Sequence, residues 1–193
     1  TSVFFNWGNN FYYLTGEGKM ELPNGEYKTE GPGRVTGNNA ATWEPSESDW
    51  YETVKLNYGH DYTLGRDTAG LPDSDAHLSD VPDTWVKMDA ILSYWQELGV
   101  DGFRCDMAHM VPMEFWAWET RRARQRDHQC YFMAEAYDGD PAKLTHSNVL
   151  DALLEHGFDT VYDGESYELI KSVIENGRNA TDLDELLWAP QRL

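Results

Sequence analysis

The chain has 193 residues, of which 34 are acidic and 15 basic, so that its formal net charge at pH 7 is −19. Apolar residues make up 40% of the chain and aromatic residues 13%, which is enough for a hydrophobic core and excludes a disordered chain. The acidic balance argues against non-specific binding to nucleic acids or anionic membranes, and the chain contains no run of about 18 apolar residues that would predict a membrane span.

Residues 1–80 are rich in Gly, Asn, Tyr and Trp, and few stretches among them hold a regular hydrophobic period. Turn signals recur at 23–25 and 31–33, and one short strand is predicted at 53–58. An excursion of this length is uncommon in a compact domain unless it carries function. We therefore separate this region from residues 81–193.

From residue 81 onward, helices and strands are predicted to alternate. Apolar residues at helical spacing predict a helix from Pro82 to Gly99 with Trp85 and Trp95 in the core. Further helices are predicted at 112–126, 149–154 and 165–175, with another beginning at 180, and strands at 100–105, 129–134 and 158–162. This alternation predicts an α/β fold with a parallel sheet, of a size to form part of a (β/α)8 TIM barrel.

Two of the predicted strands end on a carboxylic acid, Asp106 and Glu135. Functional side chains gather at the carboxyl ends of parallel strands, so the two acids are expected to lie close together. Arg104 shares a strand face with Asp106, and its guanidinium is expected to keep Asp106 ionised. A pair of carboxyl groups with distinct roles is the minimum set of a glycosidase, although an acid after a strand can also simply cap the next helix.

The segment Gly102-Phe103-Arg104-Cys105-Asp106 resembles the nucleophile strand of the α-amylase superfamily, glycoside hydrolase family 13. Phe132-Met133-Ala134-Glu135 resembles its acid/base strand, and residues 158–163 are similar to the strand that follows. The resemblance implies that 81–193 supply about strands 4–6 of a (β/α)8 barrel and that 1–80 form a domain-B-like loop after strand 3. It further implies a covalent glycosyl–enzyme intermediate, with Asp106 as nucleophile, Glu135 as general acid/base and Arg104 orienting the nucleophile.

Four further residues are predicted to contact sugar. His109 lies three residues after the nucleophile, and Tyr137 lies two residues after Glu135; Tyr58 and His60 lie in the long loop. Tyrosine faces stack on sugar rings, and packing of the loop is the alternative for these side chains. Many family members carry Lys-His where this chain has His109-Met110, which leaves the range of substrates open.

The chain also departs from the family pattern. The third catalytic acid of strand 7 and the Asp-x-x-x-Asn-His motif of strand 3 have no counterpart, so we expect an internal fragment. Alone it is expected to be inactive and marginally folded, because its sheet has two open edges. Lys55 stands where relatives carry a calcium-ligating Asp, and a lysine repels Ca²⁺. We therefore expect no metal site and no cofactor requirement, with structural calcium in doubt.

The predicted function is hydrolysis of α-glucosidic bonds in starch-like glucans or maltooligosaccharides with retention of configuration. Two alternatives stay open, namely a glucanotransferase of the same family and a non-catalytic carbohydrate-binding protein on the same scaffold. The expected partner is an α-glucan oligosaccharide or polysaccharide, with no nucleic acid and no membrane. A secreted, a periplasmic and a cytoplasmic location all fit the sequence.

Overall fold

The computed structural model describes residues 11, 14–19, 32–34, 55–60, 68–136 and 149–184. The chain divides into two compact units, Thr1–Asp101 with Met110–Cys130, and Gly102–His109 with Tyr131–Leu193. Across the described ranges, no helix is both long enough and apolar enough to cross a membrane.

The first unit contains a small antiparallel sheet and two helices. Strand β1 (Leu14–Lys19) pairs with β2 (Pro32–Arg34). A 3-10 turn at Leu78–Asp80 precedes helix α1 (Asp83–Glu97), and helix α2 (Met113–Arg126) follows later in the chain. Both helices agree with the predicted ranges within two residues at each end.

Backbone chemistry explains where these two helices begin and end. Pro82 and Pro112 directly precede them with φ of −55° and −56°, close to the helical value that the proline ring imposes. Gly99 has φ of +89°, in the left-handed region where a glycine pays no steric cost, and it terminates α1 as predicted.

Aromatic side chains form the core of the first unit. Trp85 of α1 and Trp118 of α2 are fully buried, with ring centroids 5.5 Å apart, and Phe115 meets Trp85 edge-on at 5.5 Å. Each indole N–H also has a hydrogen-bond acceptor. Trp85 Nε1 donates to the Tyr58 carbonyl at 3.0 Å, and Trp118 Nε1 donates to the Ala76 carbonyl at 2.9 Å. The aromatic core is therefore anchored by directed hydrogen bonds as well as by buried area.

The prediction that Trp95 packs in this core is wrong, because its side chain is 47% exposed. Ten residues separate it from Trp85, which turns it about 80° away around a helix of 3.6 residues per turn. The facing contact at this end of α1 is polar instead, since Gln96 Nε2 donates to the Ala123 carbonyl at 2.9 Å.

A buried ionic network joins α1 to α2. Arg122 Nη2 lies 2.9 Å from Asp89 Oδ2, Arg126 Nη1 pairs with Asp89 Oδ1, and Arg126 Nη2 lies 3.6 Å from Glu119 Oε1. The Glu119 side chain is fully buried. Burial raises the pKa of Glu119 to about 8, the negative Asp89 adds to this rise, and the two arginines oppose it.

This network predicts that stability falls with pH and that Glu119→Gln relieves the fall. Between about pH 4.5 and 8, Glu119 stays protonated in the folded chain but is ionised in the unfolded chain. The free energy of unfolding therefore decreases as the pH rises through this window. Above the pKa of Glu119 in the folded chain, the decrease in the free energy of unfolding reaches its full value, of the order of 5 kcal/mol. We expect Glu119→Gln to match the parent near pH 5 and to exceed it by about 2–5 kcal/mol above pH 8.

Urea denaturation of the complete protein at both pH values measures this difference. Glu97→Gln is the matched control, because Glu97 ends α1 with an exposed side chain and its replacement is expected to leave the pH dependence unchanged. A Glu119→Gln protein that loses stability with pH as steeply as the parent contradicts the assignment.

The second unit is built on a parallel sheet of strands β3 (Gly102–Cys105), β4 (Tyr131–Ala134) and β5 (Thr160–Val161), in that order. Helix α3 (Val149–Glu155) precedes β5, helix α4 (Gly164–Asn176) follows it, and 3-10 turns lie at Ala108–Met110 and Ala180–Leu183. The predicted α/β class with a parallel sheet is confirmed; the assignment of these strands to barrel positions 4–6 stays a prediction.

Close packing fixes the start of β3 against β4. A Cβ atom at Gly102 would lie 2.3 Å from the Tyr131 carbonyl oxygen, so only glycine fits there. Further along, the Phe103 and Phe132 rings lie 5.7 Å apart, and Phe158 meets Phe132 edge-on at 6.2 Å. The close approach of Gly102 to Tyr131 coincides with the first pair of the β3–β4 register, which continues to Cys105 opposite Ala134.

Three predicted elements differ in the structure. Strand β5 is shorter than 158–162 because the Asp159 side chain, through Oδ2, accepts the Phe132 N–H at 2.8 Å where a strand carbonyl would otherwise do so. The helix expected from 180 begins as the 3-10 turn, and residues beyond 184 lie outside the described ranges. Of the strand predicted at 53–58, the structure describes residues 55–58, which contain an isolated β-bridge at Leu56 and no strand. The division at residue 80 stays a prediction.

Candidate active site

The two predicted acids lie side by side at the carboxyl edge of the parallel sheet. Asp106 directly follows β3 and Glu135 directly follows β4, and the register pairs Cys105 with Ala134. The Glu135 N–H donates to the Cys105 carbonyl at 2.9 Å, which extends the ladder one residue past β4. The sheet therefore brings the two carboxylates to the same edge, as the spacing predicts.

Arg104 contacts both carboxylates. Its Nη1 forms an ion pair with Asp106 Oδ1, and its Nη2 lies 2.8 Å from Glu135 Oε1. The contact with Asp106 follows from the alternation of side chains along β3. The contact with Glu135 was not predicted, because it depends on the register that sets Arg104 opposite Met133. One planar guanidinium thus links both acids.

The turn after β3 holds Glu135 from the other side. Met107 has φ of +46°, in the left-handed region that a residue with a side chain rarely adopts. This conformation lets the Met107 N–H donate to Glu135 Oε2 at 3.0 Å, and the Ala108 N–H donates to the Glu135 carbonyl at 2.7 Å. Such strain costs about 1–3 kcal/mol and concentrates at functional sites. Both oxygens of Glu135 are therefore fixed.

Tyr162 is a fourth side chain at this edge, and the sequence reasoning missed it. Arg104 Nε donates to the Tyr162 hydroxyl oxygen at 3.4 Å, and the guanidinium carbon lies 5.6 Å from the ring centroid. The Tyr162 hydrogen bond and then Asp106 raise the pKa of Arg104, which keeps the guanidinium charged. Its position one residue past a parallel strand, like that of Asp106 and Glu135, is the signal that identifies it.

The two acids differ in their access to solvent. The Asp106 side chain is 70% exposed and the Glu135 side chain 19% exposed. An open carboxylate can be approached by a reacting atom, and a sheltered one beside it can exchange a proton with less competition from water. This asymmetry suits a pair of carboxyl groups with different roles.

The other four predicted residues are placed differently. His109 lies in the 3-10 turn Ala108–Met110 of the same unit, half-buried. Tyr58 and His60 belong to the first unit and are buried there, Tyr58 with its ring edge-on to Phe115 at 5.0 Å. Tyr137 lies outside the described residues. Sugar contacts by these four residues stay predictions.

A metal centre is not evident in the part of the chain that the structure describes. No group of three or more His, Cys, Asp and Glu side chains there is arranged to hold an ion. Lys55, which the sequence analysis places at the expected calcium-ligand position, is buried in the first unit. The absence of structural calcium remains a prediction.

The chain is similar to alpha-1,4-glucan:maltose-1-phosphate maltosyltransferases of three organisms. Identity is 33% over 78 residues for Myxococcus xanthus (40% of this chain, 11% of that protein), 35% over 57 residues for Rhodospirillum rubrum (30% and 8%), and 30% over 90 residues for Picrophilus torridus (47% and 13%). No family model matches the chain.

Two solved α-amylases are also similar to this chain. The Lactobacillus plantarum enzyme shares 28% identity over 63% of this chain and 31% of its own, with a TM-score of 0.45. The Anoxybacillus enzyme shares 19% identity over 52% of this chain and 23% of its own, with a TM-score of 0.40.

The site is a pair of carboxyl groups, Asp106 and Glu135, at the carboxyl edge of a parallel sheet. The resemblance of the chain to the α-amylase family, glycoside hydrolase family 13, is confirmed by the maltosyltransferase relatives. The segments matched span only about a tenth of the length of these relatives, which is 11%, 8% and 13% in the three cases.

Proposed function

We propose that this chain carries the nucleophile and the acid/base of a retaining enzyme that acts on α-glucosidic bonds of starch-like glucans or maltooligosaccharides. The observation that carries the proposal is the Arg104 guanidinium, which contacts Asp106 and Glu135 at one sheet edge. The relatives, whose names describe action on an alpha-1,4-glucan, support the substrate class.

In the first step, an Asp106 carboxylate oxygen attacks the anomeric carbon of the bound sugar. The bond from that carbon to the leaving oxygen breaks, and the leaving oxygen takes the proton of Glu135. Arg104 orients the Asp106 carboxylate for this attack, and the Met107 N–H fixes the direction of the Glu135 carboxyl group. A glycosyl ester on Asp106 and a deprotonated Glu135 result.

In the second step, an incoming hydroxyl group replaces Asp106 on the anomeric carbon. Glu135 removes the proton of this hydroxyl, its oxygen bonds to the carbon, and the ester bond to Asp106 breaks. Water as the acceptor gives hydrolysis, and a sugar hydroxyl gives transfer. Two displacements at the same carbon retain its configuration.

The position of the site supports a larger architecture. We propose that β3, β4 and β5 are about strands 4–6 of a (β/α)8 barrel, preceded by a domain-B-like region in residues 1–80. The three parallel strands are neighbours in chain order, helix α3 precedes β5 in the sequence and helix α4 follows it. This order fits a contiguous part of such a barrel. In this setting His109 and Tyr137 are expected to contact the sugar, and Tyr58 and His60 are expected to belong to the preceding loop.

A second candidate function is maltosyl transfer from a glycosyl phosphate to a glucan. The observation that favours it is the name shared by the relatives, alpha-1,4-glucan:maltose-1-phosphate maltosyltransferase. The same Asp106 ester forms in this case. Phosphate departs more readily than a sugar alkoxide, so the first step would depend less on the proton of Glu135.

Product analysis with the complete protein tests the two candidates. One reaction contains a maltooligosaccharide alone, and a second adds maltose 1-phosphate. A hydrolase is expected to produce new reducing ends in the first reaction. A maltosyltransferase is expected to produce, in the second reaction, chains longer by one maltosyl unit and to release inorganic phosphate.

A fluorosugar with an activated leaving group supplies the control for mechanism. It is expected to add one glycosyl mass to the peptide that contains Asp106, since the trapped ester hydrolyses slowly. A label on a different residue, or products of inverted anomeric configuration, contradicts the proposal. Glucan binding without any turnover or label would favour a non-catalytic binding protein.

A further inference from the structure

Tyr162 contacts Arg104 without being either of the proposed reacting groups. We infer that Tyr162 is a positioning residue that keeps the Arg104 guanidinium between Asp106 and Glu135 throughout the reaction. The inference rests on the proposed function and extends it to the residue that follows β5.

The contacts of Arg104 define one orientation of its guanidinium. Nη1 faces Asp106, Nη2 faces Glu135, and Nε faces the Tyr162 hydroxyl, so each nitrogen has its own partner. The ring centroid lies 5.6 Å from the guanidinium carbon, within the range of about 6 Å over which a cation is attracted to an aromatic face. Tyr162 therefore combines a hydrogen bond with a cation–π contact.

Regular structure on both sides fixes the position of Tyr162. Its N–H donates to the Ala134 carbonyl at 3.1 Å, which ties it to the end of β4. The next residue, Asp163, caps α4 by accepting the Ser166 N–H at 3.0 Å. The backbone of the tyrosine is thus held between a strand and a helix N-terminus, which fixes the point from which its side chain reaches Arg104.

The chemistry explains why Arg104 needs such a contact. A free arginine side chain has about 2 kcal/mol of rotamer entropy, and that of Arg104 is 42% exposed. Both of its ion pairs weaken in turn during the reaction, because Asp106 loses its charge when it bonds to the sugar and Glu135 is neutral before it gives up its proton. The contacts with Tyr162 depend on neither charge and persist through both steps.

Two substitutions in the complete protein test the inference. Tyr162→Leu removes the ring and the hydroxyl, and we expect kcat/KM to fall about tenfold, with KM changed less than about twofold. The acidic limb of the pH profile of kcat/KM is expected to move to higher pH, because a loosened guanidinium stabilises the neighbouring carboxylates less. Tyr162→Phe keeps the ring, and we expect a loss of about two- to threefold with a smaller movement of the limb.

Tyr131→Phe is the matched control. It removes a tyrosine hydroxyl from the same sheet, one that donates to Thr160 Oγ1 at 2.9 Å, at the opposite end of β4 from Glu135. We expect parental kcat/KM and an unchanged pH profile for this variant.

The outcomes separate this inference from the proposed function. Parental kcat/KM and pH profile in Tyr162→Leu, together with an inactive Asp106→Asn, overturn the role of Tyr162 and leave the proposed function standing. Parental turnover in Asp106→Asn overturns the proposed function itself. Should Tyr162→Leu fail to fold, Tyr162→Phe decides, and an unmoved pH limb with unchanged kcat/KM in that variant overturns the inference.

Discussion

Replacement of Asp106 by asparagine is expected to lower kcat by at least about 10⁴-fold while glucan affinity stays within a few-fold of the parent. Asparagine keeps the size of the side chain and an oxygen that can accept from Arg104 Nη1. It lacks the carboxylate that forms the ester with the anomeric carbon, so the covalent step fails although the site is intact. Turnover measured by release of reducing ends, and binding measured by calorimetric titration, separate the two effects.

The matched control for Asp106→Asn is Asp163→Asn. Asp163 also lies past the carboxyl end of a parallel strand, where its side chain caps α4 by accepting from the Ser166 N–H at 3.0 Å. Asparagine is an equally good N-cap, so activity and stability are expected to stay close to the parental values. Parental kcat in Asp106→Asn would remove Asp106 from the reaction.

Replacement of Glu135 by glutamine is expected to have the second largest effect, and its size depends on the leaving group. Loss of a general acid/base typically costs about 10²–10⁴-fold. A glucan, whose sugar alkoxide needs a proton to depart, is expected to show the full loss. A glycosyl fluoride forms the Asp106 ester without that proton, so its first step is expected to lose less than about tenfold.

Added azide provides a further readout for the Glu135→Gln protein. This small anion attacks the anomeric carbon without a general base, so it is expected to restore turnover of the glycosyl fluoride and to yield a glycosyl azide. Glu155→Gln is the control, since Glu155 ends α3 with an exposed side chain. Equal losses for the glucan and the fluoride, without azide rescue, would show that Glu135 acts only through its contacts with Arg104 and the Met107 N–H.

Local patterns sufficed to predict the parts of the site that depend on one strand at a time. Alternation along β3 places Arg104 and Asp106 on one face, and the rule for parallel sheets places Glu135 at the same edge. The bounds of α1 and α2 agree with the prediction because these helices carry marked starts or ends, at Pro82, Pro112 and Gly99.

Features that depend on two or more strands, or on an uncommon backbone conformation, were not predicted. The contacts of Arg104 with Glu135 and Tyr162 require the register of three strands, which no local period encodes. Methionine has no preference for the left-handed region, so nothing in the sequence marks Met107 as the residue that directs an N–H toward Glu135. A three-dimensional arrangement was needed to find these contacts.

Errors in burial have a related origin. Trp95 falls in the run of apolar residues whose helical spacing predicts core positions in α1, but its angular position separates it from Trp85. Glu119 is fully buried although its side chain is ionisable, because burial raises the pKa of its carboxyl group to about 8 and Arg126 and Arg122 of its own helix lie nearby. A hydrophobic period cannot indicate a buried ionisable side chain.

The missing side chain at Gly102 has a consequence for how the site tolerates change. The spacing of β3 and β4 is set where Gly102 meets the Tyr131 carbonyl, about 10 Å along the strands from the residues that precede the two acids. The separation of the two strand ends that carry the acids is thus constrained from the far end of the sheet, in addition to the contacts of Arg104 and the Met107 N–H at the site itself. A side chain introduced at Gly102 would therefore disturb the site without touching either carboxylate.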